Sequence, residues 1–232
     1  MVDRAAVLNW FVNPGTSDSF AIGSGVLVPV GHLNRDRQHW CIHFGEPPSD
    51  NNQDPEDVLV GRIRELLKLP DLEIEVESVS HWLVEGIVAD RYREGRVFVV
   101  GDAAHRHPPT VGIGMNSAVA DVHNLVWKLA MVVKGIAGPS LLETYETERQ
   151  SVAAQNVDCA TTTYFTHMMV NILTGMLPGT ALEDRKRGFA EFFSDTAEGQ
   201  RRRNRAEAVM RYLFQMEFEV SDIEMGYIYD EG

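Results

Sequence analysis

Along residues 20–30, FAIGSGVLVPV, the apolar side chains of Ile22, Val26, Val28 and Val30 alternate with small residues in the period of a half-buried strand. Trp40, Ile42 and Phe44 repeat that period around Cys41 and His43 and predict a second short strand. From Glu46 to Asp57 the chain carries five acids and no base, with Pro47, Pro48 and two Asn, which is the composition of a solvated loop. A helix is expected next: Asp54 as its cap, Pro55 in the first position, Glu56 and Asp57 near the positive end of the dipole. Leu59, Ile63, Leu66 and Leu67 mark its buried side, and Pro70 its end. Alternation resumes through Leu72, Ile74 and Val76 and, after a turn, Trp82 and Val84, so the first part of the chain reads as sheet with one covering helix.

A different pattern begins at RVFVV, Arg96–Val100, an almost wholly apolar run of the kind buried on both faces of a parallel sheet. After a loop the period becomes helical from about Asn116, with Val119, Val122, Val126, Leu129 and Val133 spaced three and four apart, marking a helix that serves as a spine of the fold. Gly135 and Gly138 end it. Ser140 with Glu143 reads as a capping box for a further helix through Leu141, Leu142, Tyr145 and Val152. Residues 158–182 read as helix on Met168, Met169, Ile172 and Leu173, and a last helix spans residues 199–217. The fold class is therefore α+β or α/β.

Charge narrows the partners. Twenty-one Lys and Arg against 34 Asp and Glu leave a formal net charge of −13, a field that works against nucleic acid as the partner. Arg201, Arg202, Arg203 and Arg205 read as a solvated helix face compensated by the acids that follow, not as a phosphate patch. Cys41 and Cys159 suggest neither a disulfide framework nor a zinc site, and with no apolar run of spanning length a cytoplasmic protein is expected, with no membrane partner. Gly23 and Gly25 are followed by a strand pattern instead of a helix, so they read as sheet positions and not as a dinucleotide loop.

The chemistry concentrates between residues 101 and 116, where a buried strand leads into Gly-Asp, a loop with prolines and glycines, and the start of a long helix. Ligands of open α/β sheets lie beyond the carboxyl ends of strands, and a helix N-terminus offers unpaired N–H groups to an anion or acceptor. Asp102 is either an acceptor for ligand hydroxyls or a turn cap. Pro108 and Pro109 fix the loop; Gly112 and Gly114 admit either the close approach of a flat ligand or simple turns. His105 and His107 have no acid or Cys at ligand spacing, so no metal is expected.

The segment GDAAHRHPPTVGIGMNSAVADVHNLVWKLA, preceded by YREGRVFVV and followed by GPSLLETYETERQ, resembles the second flavin-binding motif of the FAD-dependent aromatic hydroxylases, in the branch of the phenol and dichlorophenol monooxygenases. The resemblance implies that Asp102 holds a ribityl hydroxyl of FAD, that Gly101 lets the chain turn beneath the cofactor, and that Pro108 contributes backbone near the reactive edge of the ring. Gly112, Gly114, Met115 and Asn116 would surround its pyrimidine side, and Asp121 would orient neighbouring backbone.

The resemblance also implies a partial p-hydroxybenzoate hydroxylase-like FAD/NAD(P)-binding fold that lacks the N-terminal Gly-rich βαβ unit. Residues 1–90 would then be the later part of a mixed-sheet substrate domain, and residues 91–232 the second flavin motif with its helices. In such enzymes NAD(P)H reduces the flavin, and a C4a-hydroperoxide transfers oxygen to a phenolic or related aromatic ring; no catalytic side chain is singled out here. The alternative is a non-catalytic fragment or subunit of the same ancestry, completed by a partner chain or by a missing N-terminal segment.

Overall fold

The computed structural model describes residues 9–12, 14, 24–30, 39–43, 55–177, 179–219, 223, 226, 227 and 229. The chain divides into two compact units, residues 1–82 with 171–206, and residues 83–170 with 207–232.

In the first unit β1 (Asn9–Val12), β2 (Ser24–Val30) and β3 (His39–His43) form an antiparallel sheet in that order. Phe11 faces Gly25 across one ladder, and Leu27 faces Ile42 across the other. Pro29 pairs with Trp40 on β3. Helix α1 (Glu56–Leu67) buries Leu59 and Leu66, with Pro55 as its N-cap residue. It closes on Lys68, whose φ of 57° turns the chain out of the helix. The proposed Asp54 cap lies outside the described residues, as do residues 20–23 and Phe44 of the expected strands.

The expected strand over 72–85 is not formed: Leu72, Ile74 and Val76 are half-buried between exposed neighbours, yet no ladder partner adjoins them among the described residues. Alternation reports which side is covered, whereas a strand also needs a neighbouring backbone. Arg64 Nε donates to Leu72 O at 2.9 Å, and His39 Nδ1 stands 2.9 Å from Glu77. Among the described residues this unit also holds α4 at Leu182–Phe192 and the first half of α5, Ala197–Phe218. Arg203 donates from Nη1 to Phe192 O and Ser194 O at the end of α4, while Arg201 and Arg202 pair with Glu198 within α5, so three of the four arginines in the basic cluster have partners in the protein itself.

The second unit corrects the reading of Arg96–Val100. Here β6 (Val97–Phe98) is one arm of an antiparallel hairpin with β5 (Arg93–Glu94), and Val97 is 67% exposed. An apolar run is equally compatible with a short hairpin arm one side of which is open. The long helix α2 occupies Gly114–Val133, and α3 runs from Thr144 to Leu173, through the stretch from 158 that read as helix. The capping box at Ser140 is not formed: Pro139–Leu142 is a 3-10 turn without a side-chain cap, and α3 opens where Thr144 Oγ1 donates to Leu141 O at 2.9 Å.

The core of this unit is Tyr92, Ala104, Leu125, Tyr145 and Ala153, flanked by Phe98, Val99 and Val100. Helix α3 clamps the segment before the site. Tyr145 Oη donates to Val99 O at 2.8 Å, Glu146 Oε2 accepts from Tyr92 N at 2.6 Å, and Gln150 Nε2 donates to Ala89 O at 2.7 Å.

Helix α2 is where expectation and structure part most clearly. Its span matches the periodicity, but of the expected stripe Val119, Val122, Val126 and Val133 face solvent, and Leu129 alone is partly buried against the core. The buried side consists of Ser117, Asp121, Asn124, Leu125 and Lys128.

Candidate functional site

Strands β4 (Ile87–Val88) and β7 (His105–Arg106) pair antiparallel, Val88 opposite His105, and Ala89 N extends the pairing to Ala104 O at 2.7 Å. The chain enters β7 through a 3-10 turn at Gly101–Ala103, closed by Ala104 N on Gly101 O at 2.7 Å. Gly101 makes that turn at a φ of +57°, a region that L side chains avoid, and a Cβ there would stand 3.1 Å from the Ala118 Cβ of α2. The turn leaves Asp102 exposed on the wall of an open cleft of about 330 Å³, lined also by Ile87, Ala89 and residues 103–106. On the outer strand Arg106 pairs with Glu85 at 2.8 Å.

The loop that follows is anchored from within. Pro108, Thr110 and Ile113 are buried, and Thr110 Oγ1 donates to Ala160 O on α3 at 2.6 Å. Between these anchors Val111 and Gly112 take φ values of +68° and +70°. Glycine adopts this conformation freely; a β-branched valine does so at a cost of roughly 1–3 kcal/mol. Val111→Gly is therefore expected to raise unfolding stability by about 1 kcal/mol, less the added freedom of the unfolded chain, in a urea titration. A loss of stability would mean that the Val111 side chain contributes more by packing than it costs in strain.

Helix α2 starts immediately, with no side-chain cap. Ser117 N donates to Ile113 O at 2.8 Å, so the amides of Gly114, Met115 and Asn116 precede the first intrahelical bond and carry the positive end of the helix dipole. Gly114 faces the His107 ring, and Gly112 has open space where a Cβ would lie. Pro108, Gly112, Gly114, Met115 and Asn116 are not walls of the cleft beside Asp102; they form the neighbouring loop and helix start, which Ala118 ties to Gly101.

Beneath both lies a buried charge cluster that no local motif announced. Asp121 is fully buried; its Oδ2 accepts from Gly101 N at 3.0 Å and stands 2.8 Å from His105 Nε2, while Oδ1 accepts from Arg149 Nε at 2.8 Å. Burial works to raise the Asp121 carboxyl, but the hydrogen bonds from His105, Arg149 and Gly101 outweigh it and hold the group below its usual range. Arg149 lies over the Tyr227 ring, 5.4 Å from its centre. One helix turn on, Asn124 donates to Glu148, and a further turn on, buried Lys128 pairs with the same carboxylate at 2.7 Å and donates to Thr144 Oγ1. Asn156 Nδ2 donates to Ser117 Oγ at 2.8 Å.

The α2–α3 seam is thus polar at 117, 121, 124 and 128, a helical spacing as regular as that of the valines. That second stripe was the available signal for the cluster. Burial lowers the His107 pKa, so at neutral pH this ring is uncharged where it stacks on His105. Among the described residues no group of three His, Cys, Asp or Glu stands close enough to hold a metal ion, and no helix is long and apolar enough to cross a membrane.

The family model described as FAD binding domain matches residues 2–160. The 2,4-dichlorophenol 6-monooxygenase of Delftia acidovorans is 35% identical over 200 residues, which is 86% of this chain and 33% of that protein. Phenol 2-monooxygenase of Pseudomonas sp. (strain EST1001) is 34% identical over 197 residues, 83% of this chain and 32% of its own. Among solved structures, the flavin-dependent monooxygenase PieE in complex with FAD and substrate superposes with a TM-score of 0.81 at 36% identity, over 99% of this chain and 38% of that one. The chain spans about a third of the length of the curated relatives it matches. Its fold is that of the flavoprotein hydroxylases.

Proposed function

The chain belongs to the FAD binding domain family, and from that premise we propose that it supplies the flavin-facing part of an aromatic-ring monooxygenase that uses FAD and NAD(P)H in the cytoplasm. Residues 91–232 carry the second flavin motif and its helices, and residues 1–90 the later part of the substrate domain. The observation that carries this reading is the pairing of an exposed carboxylate on a cleft wall with a capless helix N-terminus beside it.

The residues present fit the cofactor. Asp102 accepts hydrogen bonds from ribityl hydroxyls, and Gly101 gives the turn that presents it. The N–H groups of Gly114, Met115 and Asn116 hold the pyrimidine edge and favour negative charge there, with Gly112 leaving room for a flat ring and Pro108 contributing backbone. Bound FAD would supply the redox chemistry that takes electrons from NAD(P)H and delivers one oxygen atom of O₂ to a phenolic or related ring. The chain's own share is to bind, orient and shield.

A second reading is a non-catalytic fragment or subunit of the same ancestry, whose flavin site is completed by a partner chain or by a further N-terminal segment. Quenching of flavin fluorescence tests both. The chain alone is expected to bind FAD in the high micromolar range, and Asp102→Ala to weaken that binding about 10- to 200-fold, the equivalent of about 1.5–3 kcal/mol for a charge-assisted hydrogen bond. Equal constants for the two proteins would remove Asp102 from the cofactor site. A tightly bound stoichiometric flavin would rule out the need for a second polypeptide.

A further inference from the structure

The charge cluster beneath the site is covered by two side chains that the flavin reading leaves without a role. Tyr227 and Tyr229 belong to the same compact unit as the cluster, and their rings lie 5.6 Å apart, centre to centre. The Arg149 guanidinium stands over the Tyr227 ring at 5.4 Å, and Tyr229 Oη accepts from Asn124 Nδ2 at 3.4 Å. Burial works to lower the Arg149 pKa, but hydrogen bonds with Asp121 and Tyr229 outweigh it and raise it. Tyr227 is half-buried and Tyr229 36% exposed, yet the arginine side chain beneath them is only 1% exposed.

That cover lies two contacts from the turn that carries Asp102. Arg149 Nε donates to Asp121 Oδ1 at 2.8 Å, and the other oxygen of the same carboxylate accepts from Gly101 N at 3.0 Å. Water admitted to the guanidinium would compete for its donors and weaken its attraction to Asp121, because charge pairing falls as the local dielectric rises. Tyrosine suits the place: its ring face attracts a cation and its hydroxyl takes a hydrogen bond. We propose that Tyr227 and Tyr229 are positioning residues for the Gly101–Asp102 turn, acting through Arg149 and Asp121. That the turn holds FAD rests on the flavin reading, whereas the hold of the tyrosines on the turn does not.

The test follows amide hydrogen exchange by NMR in the full 232-residue chain and in a variant combining Tyr227→Leu with Tyr229→Phe. Gly101 N–H, which ends on Asp121, should exchange about tenfold faster in the variant, while Tyr92 N–H, which ends on Glu146, should stay within about twofold. Loss of packing alone would speed both amides together. Tyr227→Phe keeps an aromatic face over Arg149 and should leave Gly101 at its native rate. Tyr229→Phe alone removes one hydroxyl from an exposed side chain and should speed Gly101 about two- to fivefold, which decides the matter if the double variant does not fold. FAD titrated into the same samples should bind the double variant about tenfold more weakly than the native chain, and the tyrosine changes should add little in an Asp102→Ala background. The proposal is overturned by an unchanged Gly101 rate, by equal acceleration of both amides, by Tyr227→Phe acting as strongly as the leucine, or by tyrosine effects on FAD that persist undiminished without Asp102. Faster Gly101 exchange with FAD affinity indifferent to Asp102→Ala and to the tyrosines would leave the positioning role standing and remove the flavin reading.

Discussion

Asp121→Ala should be the most damaging single change in the second unit, lowering unfolding stability by about 3–5 kcal/mol. The reason is what it leaves behind. Arg149, 1% exposed at its side chain, would keep its charge with no carboxylate beside it, His105 would lose its ring partner, and Gly101 N–H would be buried without an acceptor. Asp121→Asn should recover only part of the loss, because an amide restores one acceptor and no charge. Urea unfolding of the three proteins measures this, and a cost for alanine below about 1 kcal/mol would mean that water reaches the cluster.

The same carboxylate sets a pH dependence whose sign follows from its depressed pKa. A group that ionises more readily folded than unfolded stabilises above its unfolded value, about 3.9, and loses that contribution as pH falls through the lower folded value. The difference in stability between the native chain and Asp121→Ala should therefore be constant near neutrality and shrink below about pH 4.

Gly175→Ala should be nearly as costly in the first unit, about 3–4 kcal/mol. Gly175 and Gly188 meet backbone to backbone, so that a Cβ on Gly175 would stand 2.5 Å from the carbonyl carbon of Gly188, and one on Gly188 would strike Gly175 O. Overpacking against rigid backbone adds to the penalty of a φ of +89°. Gly179→Ala separates the two effects: its φ is +74° but nothing lies within 4 Å of the added carbon, so about 1 kcal/mol is expected. Chemical denaturation of both variants decides the matter. Equal losses would show that the backbones move apart and that only the dihedral angle matters.

Much of the backbone around the candidate site is legible in the sequence because its punctuation is local. The Gly101–Asp102 turn, the proline-anchored loop and the opening of α2 each follow from residue types whose backbone preferences act within a few positions. The stretch over 72–85 forms no ladder among the described residues, and the run at 96–100 forms a hairpin arm, because pairing depends on a partner strand that the period cannot name. The valines of α2 show the same limit from another side: a stripe at helical spacing says that a face is apolar and says nothing about what covers it. Asp121 escaped as more than a backbone ligand because its partners lie 16, 20 and 28 residues away, distances over which only the folded chain brings charges together.

The clamp that α3 places on the strands before the site bears on the order in which this protein can be made. Val99, Tyr92, Thr110 and Ala89 take their hydrogen-bond partners from residues 46 to 61 positions further along the chain. Closing loops of that length must precede the contacts that reward them, and synthesis proceeds at about 5–20 residues per second. The loop around Pro108 therefore emerges from the ribosome seconds before the helix that fixes it, and until then β4, β7 and the exposed valines of α2 are together in an unfolded nascent chain. That interval is when this polypeptide most needs chaperone cover.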